Sequence, residues 1–325
     1  MLNLTKTQKI CIQYGFLLLL ICMTVYLVST TLDITLIPMI MKLVNKKFIF
    51  IGFLIMVLYI ILECTIINIL IKTIQKTKVR FLAVKIAMMG FYYNLVTPFA
   101  SGSQPMQIYA LNKYDINLSK SIAIVTNKTV LFQTVVTIYS AVIIFLNIEV
   151  LKNELPSMLV LMSIGMVMNI VSLLGGMLIV LTPNTMKIIV KVIVNILYRL
   201  NIFKSLNKKI HTINKFIDEY SYSIKLFIKN KKALCLSIIL TIIQLTVFFS
   251  ISYCVYKAFN LNGLSLFEVL SLQVFLYMSV SPIPTPGNVG ANEVAFLTIF
   301  ANVFPGNIIG YSVFLYSIYV YYFLV

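Results

Sequence analysis

Charge is what this chain has least of. Only 11% of its 325 residues are Asp, Glu, Lys or Arg, where a soluble domain carries about 25%. Acids are the scarcest: nine Asp plus Glu stand against 26 Lys plus Arg, of which only Arg80 and Arg199 are arginine. The one histidine, His211, lies in a basic polar stretch. So few acids, mostly far apart, argue against hydrolytic or metal chemistry. No Ser/His/Asp set, HExxH, Walker loop or Gly-rich dinucleotide turn occurs. The cysteines (Cys11, Cys22, Cys64, Cys235, Cys254) form no CxxC and mostly sit in apolar runs. They read as small hydrophobes rather than as a disulfide framework or a metal site.

What fills the chain instead is hydrocarbon: 60% of residues are hydrophobic and the mean hydropathy is +0.99. A soluble core could not absorb this without leaving large apolar patches outside. Disorder is excluded, because it requires low hydrophobicity. At ~20 apolar residues per span, the material suffices for about seven to nine membrane helices. The strong apolar runs are 10–30, 48–71, 81–100, 121–147, 157–182, 233–258, 264–283, 291–304 and 307–325. The expected fold is therefore an all-α polytopic membrane protein. Cytoplasmic loops of such proteins retain Lys and Arg. The net charge of +17 is read that way first, and no nucleic acid is expected as a direct partner.

Lys6 and Lys9 precede the run from Ile10 to Val28, which no small-x-small site follows. That predicts an uncleaved first helix with a cytoplasmic N-terminus. The mixed link 31–47 has room for a short interfacial helix. The link 72–80 is basic, the link 148–156 is net −1, and the stretch 184–232 carries eleven basic residues against Asp218 and Glu219. Placing 72–80 and 184–232 inside puts both ends of 81–120 inside too. That segment should enter, break and return. The chain divides into a first half 1–182, the basic stretch 184–232 and a second half 233–325, within a single transmembrane domain 1–325.

Two breaks stand out. The first, residues 97–105, holds Thr97, Pro98, Gly102 and Pro105; the second holds Pro282, Pro284, Pro286, Gly287 and Gly290. Neither can continue a helix. Non-helical backbone at membrane depth persists only when buried in protein or lining a wet cavity. The second hairpin would open from the opposite side, which is the pattern of an inverted repeat with broken helices meeting near the midplane. An ordinary interhelical loop is the alternative at the first break.

Within 206–228, Leu206, Ile210, Ile213, Ile217, Tyr220, Ile224 and Phe227 recur at steps of three and four, with lysines on the other faces. Upstream, Lys187, Lys191, Asn195 and Arg199 form a stripe at i+4 spacing. Such helices lie in the headgroup interface and attract anionic lipid. A passive anchor and a docking helix for a partner are the alternatives. Ionisable residues inside spans are functional candidates by default. Here they are Glu63, Lys128 and Glu293; Lys85 and Glu268 lie near helix ends and read as structural. Glu293 would sit in the first turn of a half-helix, where a carboxylate either caps or faces a cationic headgroup. Lys128 and the broken-helix amides would hold phosphate, and Glu293 with Lys128 would serve opposite charges of one headgroup.

The run Asn94-Leu95-Val96-Thr97-Pro98, with Gly102 and Pro105, resembles the first signature of the lysylphosphatidylglycerol synthase transmembrane family. The run Pro284-Thr285-Pro286-Gly287-Asn288-Val289-Gly290-Ala291-Asn292-Glu293 resembles its second, PTPGG-x-G-x-x-E. With the basic stretch between them, the likeness covers nearly the whole chain, which is similar to the multiple peptide resistance factor proteins. It departs in two places. Asn288 stands for the second glycine of PTPGG, and Asn127-Lys128 stands where the family often has Glu-Arg. The resemblance implies binding and translocation of aminoacylated phospholipid across the bacterial inner membrane, with a role in resistance to cationic antimicrobial peptides.

The implied lipid-binding residues are Glu63, Thr97, Pro98, Gly102, Lys128, Pro284, Pro286, Gly287, Gly290 and Glu293. No catalytic residue, metal or cofactor is expected. Expected partners are an anionic or aminoacylated phospholipid, a separate synthase domain and a second copy of the chain. In this family a soluble domain transfers lysine from lysyl-tRNA to phosphatidylglycerol. The sequence stops at Val325 inside an apolar run, and that domain is not expected in it. The enzyme-class alternative is a phosphatidylglycerol lysyltransferase acting with a synthase domain. A further alternative is a membrane scaffold recruiting a partner through 184–232.

Overall fold

The structure is a computed structural model that describes residues 42, 44–77, 79–99, 101–182 and 206–324. The expected first helix 10–30, most of the link 31–47, and the Lys187–Arg199 stripe lie outside the described residues. The described residues fold as helices joined by turns. Among the described residues, four helices are long and apolar enough to cross a membrane: Lys46–Ile74, Leu118–Leu146, Pro156–Leu178 and Lys231–Ala258. The 29 residues of the first make a rod of about 43 Å, ample for a hydrocarbon core of about 30 Å. The chain is an all-α polytopic membrane protein, as its composition requires.

Local chemistry sets the helix ends. Helix α1 (Lys46–Ile74) starts where the Asn45 side chain accepts from the Lys47 amide at 3.1 Å. The first break separates α2 (Leu82–Leu95) from α3 (Ser103–Lys113). Then come α4 (Leu118–Leu146), a short α5 (Ile148–Glu154) in the acidic link, and α6 (Pro156–Leu181), which opens on proline, where a missing N–H costs nothing. The amphipathic α7 (Leu206–Lys229) leads to α8 (Lys231–Phe249) and α9 (Ile251–Ala258), one run interrupted at Ser250. Helix α10 (Leu266–Val280) begins with a Ser265–Glu268 capping box, the structural part expected of Glu268. The second break leads to α11 (Ala291–Ile299), and α12 (Ile309–Val320) follows. Several hydroxyls within the helices pair locally: those of Thr65, Thr134, Thr241 and Ser279 each donate to the carbonyl four residues back.

Two cores form, one around each break. The first packs the C-terminal part of α1 with α2, α3, the start of α4 and α7. The second packs the start of α1, the rest of α4, and α8 to α12. Tyr59, midway along α1, packs against both. Outward-facing Phe50, Leu54, Ile61, Phe145 and Val171 remain exposed, as they should where the solvent is lipid. At the crossing of α6 and α10 a Cβ on Gly165 would come 2.0 Å from the Met278 carbonyl oxygen, so only glycine allows that approach.

The amphipathic stretch differs from expectation. Ile217, Tyr220, Ile224 and Phe227 are buried against protein rather than laid into lipid, and the last three join the core of the first hairpin. The 3.6-residue period shows that a face is covered and not what covers it. Helix α7 packs on α4, α1 and α8.

Candidate functional site

Neither hairpin is built of helices that cross alone. The longest of the four, α10, has 15 residues, about 22 Å. In the first break the Thr97 hydroxyl donates to the Tyr93 carbonyl at 2.6 Å and accepts from the Gly102 amide at 2.8 Å. One side chain thus satisfies backbone groups on both sides of the gap. A Cβ on Gly102 would fall 2.6 Å from the Thr97 methyl, which is why a glycine follows at that spacing. Gln107, fully buried, donates to the Ile86 carbonyl at 3.2 Å and closes the hairpin from within.

The second break is a chain of turns. Thr285 donates its amide to Ile283, Asn288 to Thr285 and Val289 to Pro286, at 2.9, 3.2 and 3.1 Å. Gly287, Asn288 and Gly290 have φ of +57°, +59° and +81°. At Gly290 the amide is capped by Glu293 Oε2 at 2.7 Å, and Glu293 Oε1 accepts from the Ser317 hydroxyl of α12 at 2.9 Å. The Asn292 amide donates to the Tyr321 hydroxyl, which donates to the Asn288 carbonyl at 3.2 Å. Glu293 therefore holds its own hairpin together.

The breaks touch. Pro98 and Pro286 form an antiparallel bridge, and Gly287 presses on the Leu95 backbone. Beside this junction lies a cavity of about 130 Å³, lined by residues of α1, α2, α8, α10, α12 and the second break. Among them are Tyr59, Asn94, Gln273, Tyr277, Asn292 and Tyr321.

Lys128 of α4 is ion-paired with Glu63 of α1, and the Gln244 amide of α8 donates to the other Glu63 oxygen at 3.0 Å. Three membrane-spanning helices meet at this point. Lys128 is paired with Glu63, and Glu293 is held by the Gly290 amide and the Ser317 hydroxyl. Next to the pair, Asn127 Nδ2 and Gln244 Oε1 are buried with no hydrogen-bond partner among the described residues. Asn127 lies at the floor of an apolar groove of about 510 Å³ between α4 and α8. No group of His, Cys, Asp or Glu able to hold a metal occurs among the described residues.

A family model described as the lysylphosphatidylglycerol synthase TM region matches residues 12–325. The chain belongs to that family. No curated protein and no solved structure matches it. Membership gives the departures from the family pattern a structural reading. Asn288 replaces a glycine at φ +59°, and asparagine is among the few other residues that take this left-handed conformation readily. Lys128 keeps a cation where the family often has arginine, and it is paired from α1, by Glu63.

Of the sequence-derived site residues, Thr97, Pro98, Gly102, Pro284, Pro286, Gly287, Gly290 and Glu293 belong to the two breaks, which the fold brings together. Glu63 and Lys128 form a separate polar point between the long helices. Sequence reasoning passed over Gln244 and Gln273, and took Asn94 only as part of a signature. The signal available was an amide inside an apolar run, a costly group that needs a partner in hydrocarbon.

Proposed function

We propose that this chain binds a phospholipid carrying a polar headgroup, aminoacyl-phosphatidylglycerol first among candidates, and moves it between the leaflets of a bacterial inner membrane. In that reading its N-terminus is cytoplasmic, the hairpins enter from opposite faces, and a synthase domain supplies the aminoacyl lipid. Resistance to cationic antimicrobial peptides would follow from positive charge delivered to the outer leaflet. The observation that carries the reading is the junction of the breaks at Pro98 and Pro286, with a polar and aromatic cavity beside it. A headgroup crossing a bilayer needs such a place, because an unsolvated polar group in hydrocarbon costs several kcal/mol (about 2–7). Two irregular segments bring backbone acceptors and donors to that place.

The test is outer-leaflet lipid labelling in cells with and without the chain, at matched total lipid. More aminoacyl or amino lipid labelled from outside is the expected result. Equal labelling, with the chain present in the membrane, would count against translocation.

A further inference from the structure

We infer that the groove between α4 and α8 holds one fatty acyl chain of a resident membrane phospholipid, by its hydrocarbon and its ester carbonyl, and is blind to the headgroup. The site is separate from the junction of the breaks and does not rest on the translocation reading. The groove has about 510 Å³ and runs from Asn127 to Ile143, about 24 Å along α4. That is the bulk and the length of one long acyl chain. Ile138 and Val142 of α4 line it with Ile238 and Ile242 of α8, and all four are exposed, so the groove opens sideways to the bilayer.

The polar groups of the lining say what the chain must carry. Among the described lining residues only Asn127, Thr134 and Tyr139 have side chains that hydrogen-bond. The Thr134 hydroxyl donates to the Val130 carbonyl at 2.7 Å. The Thr246 hydroxyl donates to the Ile242 carbonyl at 2.9 Å, so in its 3.3 Å contact with Tyr139 the proton comes from Tyr139. Asn127 Nδ2 is the donor that remains. It is shut from water and has no acceptor among the described residues, on a residue only 4% exposed. A buried N–H without an acceptor is costly in hydrocarbon. An ester carbonyl packed on the groove floor supplies that acceptor.

Charge narrows the class. No Asp, Glu, Lys, Arg or His is among the described lining residues, and Lys128, beside Asn127 in sequence, is paired with Glu63. A free fatty acid would bring a carboxylate with no cation to meet it. A lipid ester brings a neutral acceptor and no donor. Glu219 of α7 accepts from Asn117 and Ser119 at the start of α4, and α7 leads directly into α8, so both long helices start at the same end. At that end Lys229, Lys231 and Lys232 are exposed, next in sequence to the lining residue Ile228 and close before Leu234. The phosphate common to all phospholipids meets these lysines, and what it carries projects beyond them into water.

The test places the chain in vesicles of diether phosphatidylcholine with a trace of diester phosphatidylcholine that bears a diazirine along its acyl chain. After irradiation, mass spectrometry locates the label. Label should concentrate on Ile138, Val142, Ile238 and Ile242, above the equally exposed Leu54 of α1 and Val171 of α6. Added diester phosphatidylcholine and diester phosphatidylglycerol should displace it alike, and the same amounts of their diether forms, which lack the carbonyl, ~10-fold less well. Asn127→Leu should erase the preference for ester over ether while the groove is still labelled. In the unmodified chain, label spread evenly over outward-facing residues, equal displacement by the diether forms, or displacement by one headgroup alone each overturns the inference. No transport is read in this experiment. A chain that fails to alter lipid exposure therefore leaves the site standing, and failure of the labelling leaves translocation standing.

Discussion

Gly287 and Leu95 belong to different hairpins, and no side-chain carbon fits between them. A Cβ on Gly287 would come within 2.9 Å of the Leu95 carbonyl oxygen and 3.1 Å of its Cα. The neighbour is backbone and cannot swing aside. The residue is also at φ +57°, so glycine is required twice over.

Gly287→Ala should therefore destabilise the junction by about 2 kcal/mol or more, from left-handed strain and the contact together. Asn288→Gly, one position on, should be nearly silent, and Asn288→Val should not be, since a β-branched residue resists positive φ. Thermal unfolding of the purified chain in detergent compares the three. Equal melting of Gly287→Ala and Asn288→Gly would refute the close-packing account.

The Glu63–Lys128 pair makes a second prediction. Removing one partner leaves the other charge buried, at a cost of about 3–5 kcal/mol, whereas replacing both with apolar residues is often near neutral. Glu63→Leu and Lys128→Met should each lower membrane abundance and melting temperature, and the double variant should recover most of the loss. Additive losses in the double variant would show that the two side chains act independently.

Glu219 of α7 gives a pH dependence. Its carboxylate accepts from the Ser119 hydroxyl at 2.5 Å and the Asn117 amide at 3.3 Å, which holds its pKa below the usual value. A lowered folded pKa contributes stability that is present above the unfolded value, ~4, and is lost as pH falls through the folded value. Protection of residues 214–230 against amide exchange should thus decline below pH ~4, and Glu219→Gln should flatten that decline. An identical pH profile in the variant would remove Glu219 from the docking of α7.

Topology can be read with single cysteines in a background lacking the native five. Position 109, where the tyrosine is exposed, and positions in 72–80 should label from the cytoplasmic side only. Outside-only labelling at 109 would mean that α2 and α3 cross the bilayer in sequence and do not return.

Much of this architecture was legible from periodicity and composition. The apolar runs that fall on described residues match helices to within about five residues, and Thr97-Pro98 and Pro284 to Gly290 mark the breaks because proline and glycine act locally. Glu63, Lys128 and Glu293 were visible as charges in costly places. Their partners were not, because pairing Glu63 with Lys128 depends on how α1 and α4 cross, which neither helix encodes alone. Glu293 sat at a helix start where capping and ligand binding look the same in sequence. The α7 stripe showed a buried face, but lipid and protein are equally apolar coverings for Ile217 and Ile224. Asn94 was noticed as part of a signature and not as an amide carbonyl left without a donor.

The bridge between Pro98 and Pro286 joins two residues that have no N–H to give. Ordinary strand pairs cannot be pulled apart in hydrocarbon without stranding an amide at each position. Here any backbone pairing falls to the flanking residues, and separating the two prolines strands no donor at either. Backbone pairing between the hairpins is thus a single stitch among the described residues, where a ladder would be a weld along its length.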